Sequence, residues 1–195
     1  MRSRGFTLME ILVSMAILIG ISGILVATLR MGQQSWQVEQ SRMAVSHELR
    51  RGIDAMAREL AESGEGQVDI PADGDWYGTL RFEVPEDLDG DGTVLDSDGE
   101  LEWSPEWILY TQDAADANGD GITDQVIRTQ GSETPRVIAN GLWDDPDDPN
   151  DGLRFRRDPD DSSIVEIALT VRRGENTGDF PNTATLSTTV QLRNE

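Results

Sequence analysis

The chain has 195 residues and a formal net charge of −21, from 37 acidic and 16 basic residues, and it contains no cysteine. So acidic a surface repels phosphate, which argues against nucleic acid as a partner. No disulfide can stabilise the fold, so an exported domain depends on its core or on another cross-link such as a metal ion. The length allows one domain of modest size beside a membrane segment.

Segment 1–29 joins a basic end to a long apolar run. No charged residue occurs in 11–29, a stretch of 19 positions, close to the ~20 residues with which a helix crosses a bilayer. A secretory signal fits poorly, because its apolar stretch is shorter and ends at a small-residue cleavage site. An ordinary anchor leaves Glu10 unexplained, because a carboxylate in an apolar segment is costly unless it is paired.

The sequence RGFTLME at residues 4–10, followed by the apolar run, resembles the N-terminus of type IV pilins and of type II secretion pseudopilins. The resemblance implies that a prepilin peptidase cleaves between Gly5 and Phe6 and methylates the new N-terminus. It also implies that Glu10 pairs with the amino group of a neighbouring subunit and sets the assembly register. A plain membrane anchor is the alternative.

The same resemblance implies a location and a set of partners. The chain is expected in the inner membrane as a single-pass protein with a periplasmic head, and then in a pilus or pseudopilus with other pilin or pseudopilin subunits. The expected segments are a leader (1–5), a transmembrane or filament-core helix (6–29), an amphipathic helix (30–63) and a β-rich head (64–195).

The helix is predicted to continue beyond the membrane segment. Residues 30–63 contain no proline, and their apolar residues recur every three or four positions, as on one face of a helix. The stripe consists of Val45, Leu49, Ile53, Met56 and Leu60. The run SGEG from Ser63 is expected to end the helix. The stripe predicts that this half of the helix packs against the head.

From residue 67 the apolar and polar residues alternate, which predicts antiparallel strands. The predicted strands cover 76–84, parts of 101–112, 125–129, 136–139, 153–157, 164–172 and 184–193. The predicted fold class is therefore α+β, with a long N-terminal helix, half hydrophobic and half amphipathic, packed against one or two antiparallel sheets. This order of elements resembles the minor pilins and pseudopilins of the W and J types.

An acidic loop at 87–98 has the ligand spacing of a calcium loop. Acids stand at its positions 1, 3, 5 and 12, and a glycine at position 6 permits the sharp turn. The predicted ligands are Asp87, Asp89, Asp91, Thr93 through its carbonyl, and Asp98. The flanks are not helical, so an EF-hand is not implied, and the loop resembles those of dockerins or thrombospondin-type repeats. The alternative is a solvated loop with Asp-Gly turns.

A second loop at 116–124 repeats the first half of this spacing. Side-chain oxygens stand at positions 1, 3, 5 and 9, again with a glycine at position 6. The predicted Ca²⁺ ligands are Asp116, Asn118, Asp120 and Asp124. Position 12 is Ile127, so a residue from elsewhere has to complete the shell. A third acidic run at 144–151 has prolines and no such spacing, and is interpreted as solvated surface.

No pattern in the sequence indicates an enzyme. The single histidine, His47, lies on the helical segment, and there is no cysteine and no G-x-S-x-G motif. We therefore expect a structural subunit, a minor pilin or pseudopilin that primes or caps a filament. The alternative from another class is a membrane-anchored Ca²⁺-binding or adhesive domain that does not polymerise.

Overall fold

The computed structural model describes residues 7–119, 121–144, 151–173 and 182–193, which form one long helix and eight strands. The helix is α1 (Leu8–Leu60), and the strands are β1 (Trp76–Tyr77), β2 (Leu80–Phe82), β3 (Ile108–Gln112), β4 (Gln125–Gln130), β5 (Arg136–Asn140), β6 (Leu153–Arg157), β7 (Ile164–Arg173) and β8 (Asn182–Gln191). The predicted α+β class is confirmed.

The helix α1 belongs to two compact units of the chain, Met1–Ser41 and Arg42–Glu195. In the first unit its apolar side chains are exposed. In the second unit all five residues of the predicted stripe are buried, and Met56 and Leu60 have no exposed surface. The helix ends at Leu60, and a turn and a short 3-10 helix (Glu65–Gln67) follow it. The period of 3.6 residues therefore predicted the buried face correctly.

The strands form two antiparallel four-stranded sheets. Sheet A has the order β1-β6-β7-β8, and sheet B has the order β2-β3-β4-β5. In β7 the odd-numbered Val165, Ile167, Leu169 and Val171 are all buried, as the alternation predicts. Glu166 is half-buried between them, but the even-numbered Ala168 and Thr170 are buried as well. Each sheet uses one face for the core, as antiparallel sheets commonly do.

The predicted single strand at 76–84 is wrong in its extent, because this segment contains two short strands in different sheets. Trp76 pairs with Arg156 of β6, whereas Leu80 pairs with Tyr110 of β3. The chain leaves sheet A at Gly78 and enters sheet B two residues later. The residues of 76–84 do not reveal such a change of partner, because strand-forming side chains carry no information on which strand each half of the segment pairs with.

The core lies where α1 meets both sheets. The stripe residues join one hydrophobic cluster with residues of sheet A and sheet B. Gly52 of α1 is buried beside this cluster: a Cβ there would lie 2.8 Å from Leu169 Cδ2 and 3.1 Å from Ala139 Cβ. Leu169 belongs to sheet A and Ala139 to sheet B, so the glycine permits close approach of the helix to both.

A polar network also connects α1 to sheet B. The carboxylate of Glu59 accepts hydrogen bonds from the Tyr110 hydroxyl at 2.8 Å and from Arg128 Nε at 2.8 and 3.1 Å. Arg136 Nη2 lies 3.7 Å from the same carboxylate. Each charged or polar group is thereby paired, as partly buried groups require.

Candidate functional site

The first candidate site is the N-terminal part of α1, which presents apolar side chains to its surroundings. Leu8, Ile19 and Ile24 are 80%, 72% and 70% exposed. Within the described residues, α1 is the one helix long and apolar enough to cross a membrane. The predicted cleavage and methylation positions, Gly5 and Phe6, lie outside the described residues.

Glu10 lies in the first turn of α1 and takes part in capping the helix. The Thr7 N–H donates to Glu10 Oε2 at 3.5 Å, and the Glu10 N–H donates to Thr7 Oγ1 at 3.3 Å. This reciprocal arrangement is a capping box, which satisfies two backbone donors at a helix start. The carboxylate stays exposed, so it remains accessible to a positively charged group of another chain.

The second candidate site is the acidic loop at 87–98, which folds back on its first aspartate. Asp87 Oδ1 accepts from the Gly90 N–H at 2.7 Å, and Asp87 Oδ2 accepts from the Gly92 N–H at 2.9 Å. Both glycines have positive φ, 77° and 90°, a conformation that favours glycine. The glycine at position 6 thus provides the turn expected from the spacing.

Three carboxylates converge at this loop, and one of them is not among the predicted ligands. Oxygens of Asp87, Asp89 and Glu102 lie within 4.8 Å of one another. Glu102 also anchors the loop, because its Oε2 accepts from the Leu88 N–H at 2.7 Å. The predicted ligands Asp91 and Asp98 lie outside this group of three.

The position of Glu102 follows from backbone pairing at the base of the loop. Pro85 and Trp103 form an antiparallel bridge, and the Glu86 N–H donates to the Glu102 carbonyl at 2.9 Å. The returning chain therefore brings Glu102 beside the first half of the loop. The spacing of a calcium loop points to position 12, Asp98, as the last ligand and cannot reveal Glu102. A glutamate that lies opposite the start of the loop in a predicted hairpin would have indicated this ligand.

The loop at 116–124 shows the same turn. Both carboxylate oxygens of Asp116 lie 3.0 Å from the Gly121 nitrogen, and Asn118 Nδ2 donates to Gln125 Oε1 at 2.9 Å. Asp124 is exposed, and its carbonyl accepts from the Leu142 N–H. Asp120 lies outside the described residues. The described carboxylates of this loop do not form a group of three.

Asp113, which precedes this loop, was not singled out from the sequence. It is 1% exposed, its Oδ1 accepts from the Ala117 N–H at 2.6 Å, and its Oδ2 has no hydrogen-bond partner in the described part of the chain. In the third acidic run, Asp144 forms a 2.8 Å ion pair with Arg154. Residues 145–150 of that run lie outside the described part of the chain.

Comparison with known proteins concerns the N-terminal segment. Residues 1–29 match the family model of the prokaryotic N-terminal methylation motif. The chain carries a prokaryotic N-terminal methylation motif. Together with the exposed apolar helix, this motif supports a type IV pilin-like protein, a structural rather than catalytic class. Neither a curated protein nor a solved structure matches the chain.

Proposed function

We propose that the chain is a minor pilin or pseudopilin, which primes or caps a type IV pilus or a type II secretion pseudopilus. The observation that carries this proposal is the methylation motif at 1–29, whose residues from Leu8 onward form the exposed apolar part of α1. Apolar helices of this kind are stable in a bilayer or against one another, and not in water. The long acidic loops of the head favour a minor subunit, since a major subunit repeats at close quarters.

In this proposal the protein first lies in the inner membrane with its head in the periplasm. A prepilin peptidase removes residues 1–5 and methylates Phe6, and the apolar part of α1 then packs among those of other subunits. The carboxylate of Glu10 pairs with the N-terminal amine of a neighbour. A carboxylate in an apolar filament core is stable only when paired, so this pairing selects one register.

Mass spectrometry of the N-terminus tests the processing step. The chain is expressed with a prepilin peptidase, and the expected product begins at Phe6 and carries one added methyl group. The variant Gly5→Arg serves as the control and should remain uncut. A wild-type chain that still begins at Met1, beside a reference prepilin that the same peptidase cleaves, contradicts the proposal.

Incorporation of Glu10 variants tests the register role separately from the capping role. Glutamine can replace glutamate in a capping box, so Glu10→Gln keeps the helix start and removes only the charge. We expect filaments to take up much less of Glu10→Gln and of Glu10→Ala than of wild type. Glu39→Gln, an exposed position further along α1, should be taken up normally. Normal uptake of Glu10→Gln would assign Glu10 to capping alone.

We also propose that the loop at 87–98 binds Ca²⁺. What supports it is the approach of Asp87, Asp89 and Glu102 within 4.8 Å. Ca²⁺ takes six to eight oxygen ligands from carboxylates, carbonyls and water, and these side chains supply that chemistry. The second loop is a weaker candidate, with Asp116, Asn118 and Asp124 as ligands from its described residues.

A calcium site is also compatible with the second candidate function, a membrane-anchored Ca²⁺-binding or adhesive domain that does not polymerise. Processing at Gly5 and co-purification with other pilin subunits distinguish the two functions. A chain that binds Ca²⁺ but is neither cut nor co-purified would support the anchored domain.

A further inference from the structure

The strand β8 lies at the edge of sheet A, with β7 on one side. On the other side of β8, the described residues form one backbone hydrogen bond, and it lies beyond the end of the strand. There the Arg193 N–H donates to the Ser63 carbonyl at 2.9 Å, within a parallel bridge between Gly64 and Arg193. Along Asn182–Gln191 no described strand lies on that side. Such an edge is a template for another strand.

The register determines which backbone groups of β8 point outward. The Thr170 N–H donates to the Gly152 carbonyl, so the even-numbered residues of β7 bond toward β6 and the odd-numbered ones toward β8. The partners of those odd-numbered residues are the even-numbered residues of β8, such as Leu186 opposite Leu169. The outward N–H and C=O groups therefore belong to Thr183, Thr185, Ser187, Thr189 and Gln191.

Within β8 itself, the sequence has none of the features that commonly block strand addition. Natural edges carry charged side chains, proline or bulges, whereas the sequence of β8, NTATLSTTVQ, has neither charge nor proline. Its pairing with β7 continues without a bulge from Ile164 to Arg173. In a chain of net charge −21, ten consecutive uncharged residues on an exposed edge are a distinctive surface.

A groove of about 430 Å³ adjoins the first half of β8 and separates it from α1. Ala184 and Leu186 lie on its sheet side, and Val45 and Leu49 on its helix side. Among the described residues, its polar lining includes Arg42 and Arg50 and no acidic residue. Both arginines are exposed, and neither forms an ion pair with a described residue. The groove is thus apolar inside and positively charged at its rim.

We propose that this groove and the edge of β8 bind an extended acidic segment of a partner protein, which adds to sheet A as a further strand. Its backbone pairs with the outward groups of β8, since main-chain pairing gives affinity and alternate side chains give specificity. Its apolar residues contact Leu49 and Leu186, and its carboxylates pair with Arg42 and Arg50. A second copy of this chain fits poorly, because its β8 brings no carboxylate to the arginines. The proposal does not depend on the N-terminal motif.

Peptide binding to the whole chain in detergent micelles tests the proposal. The probe is a fluorescein-labelled peptide of about eight residues, a usual strand length, that alternates valine and glutamate. Fluorescence anisotropy should show saturable binding. The matched peptide with lysine in place of glutamate should bind at least about fivefold more weakly, because exposed charge pairs contribute modestly.

Two pairs of variants locate the site. Ser187→Pro removes one outward N–H, and proline is tolerated in an edge strand at such a position. Binding of the peptide should therefore weaken about tenfold. The control variant Ser187→Ala keeps the N–H and should bind normally. The double variant Arg42→Gln and Arg50→Gln should weaken binding about fivefold, whereas Arg51→Gln, outside the groove lining, should not. Denaturant unfolding confirms that each variant is folded.

Three results would overturn the proposal. They are absence of peptide binding, equal binding of the glutamate and lysine peptides, and unchanged binding to the folded Ser187→Pro variant. Dimerisation of the chain that Ser187→Pro abolishes would assign the edge to a second copy instead. N-terminal processing at Gly5 is measured separately, so the outcome of either experiment leaves the other interpretable.

Discussion

The hydroxyl of Tyr110 in β3 donates a 2.8 Å hydrogen bond to the carboxylate of Glu59 on α1, at a sequence separation of 51 residues. The same carboxylate receives Arg128 of β4, whose side chain is 13% exposed. One glutamate therefore fixes the last turns of the helix against two adjacent strands of sheet B. Substitution of this one side chain therefore tests the contact between the helix and sheet B.

We predict that Glu59→Ala lowers the free energy of unfolding by about 2 kcal/mol, because it leaves the Tyr110 hydroxyl and the Arg128 guanidinium without their acceptor. Denaturant unfolding of the whole chain in micelles, followed by tryptophan fluorescence, measures this. Glu59→Gln keeps an acceptor and should cost less. Glu62→Ala, an exposed position one turn further, is the control. A loss no larger than that of Glu62→Ala would mean that the network adds no net stability.

Both tyrosines of the chain are predicted to resist ionisation near pH 10. The hydrogen bond to Asp73 raises the pKa of Tyr77 to about 12, and burial, followed by the charge of Glu59, raises the pKa of Tyr110. An unperturbed tyrosine ionises with a pKa of about 10. The absorbance of tyrosinate in the folded protein should therefore show no transition near that pH. Full ionisation of one tyrosine by pH ~10.5 would contradict the hydrogen-bonded geometry.

Because the pKa of Tyr110 is raised, the free energy of unfolding is expected to depend on pH in the alkaline range. The unfolded chain loses this proton near pH ~10, while the folded chain retains it, so the contribution is fully present below that pH and is lost as the pH rises through the folded pKa. Tyr110→Phe should make the decline of unfolding free energy above pH ~10 less steep. Urea unfolding over a series of alkaline pH values measures this, and an unchanged slope in the variant would refute it.

Substitution of Gly52 tests how closely α1 approaches the sheets. Gly52→Ala should destabilise the head by about 1 kcal/mol, because overpacking of ~1–3 kcal/mol exceeds the gain of ~1 kcal/mol in helix propensity. The matched variant is Gly32→Ala, since a Cβ at Gly32 meets nothing within 4 Å. Adding Leu169→Val to Gly52→Ala should recover part of the loss. A stabilised Gly52→Ala variant would show that Leu169 shifts at little cost.

Calcium binding should depend on Glu102 more than on Asp98. At a Ca²⁺ concentration about a hundredfold above the Kd, wild type should gain about 2.7 kcal/mol in unfolding free energy, seen as a rise in the melting temperature that a chelator reverses. Glu102→Gln should lose most of this rise, whereas Glu100→Gln, a neighbouring exposed acid, should retain it. Asp98→Asn tests position 12 of the sequence spacing. An unchanged melt of wild type with added Ca²⁺ would remove the site.

The course of α1 could be predicted because its signal is local. The residues of the stripe from Val45 to Leu60 recur at the helical period, so they share one face of the helix, and that face is buried. The alternation in β7 is equally local. The change of sheet after Tyr77 could not be predicted in this way, since it depends on pairing with Arg156 and Tyr110, which lie far along the chain.

The candidate calcium loop shows the same division between local and long-range information. Asp87 and Asp89 followed from the spacing of acids, and the positive φ of Gly92 agrees with the turn expected at position 6. Glu102 joins them only because the bridge between Pro85 and Trp103 returns the chain to the start of the loop. A ligand that hairpin pairing supplies has no fixed distance along the sequence.

The bridge between Gly64 and Arg193 joins the segment after the helix to the last described strand segment. Val190 and Leu192, beside it, are buried in the core. Since ribosomes deliver residue 64 long before residue 193, sheet A cannot be complete until β8 and Arg193 have been made. Until then the part of the apolar stripe that packs against sheet A stays open to proteases. Chains that end before β8 should therefore be degraded faster than the whole chain.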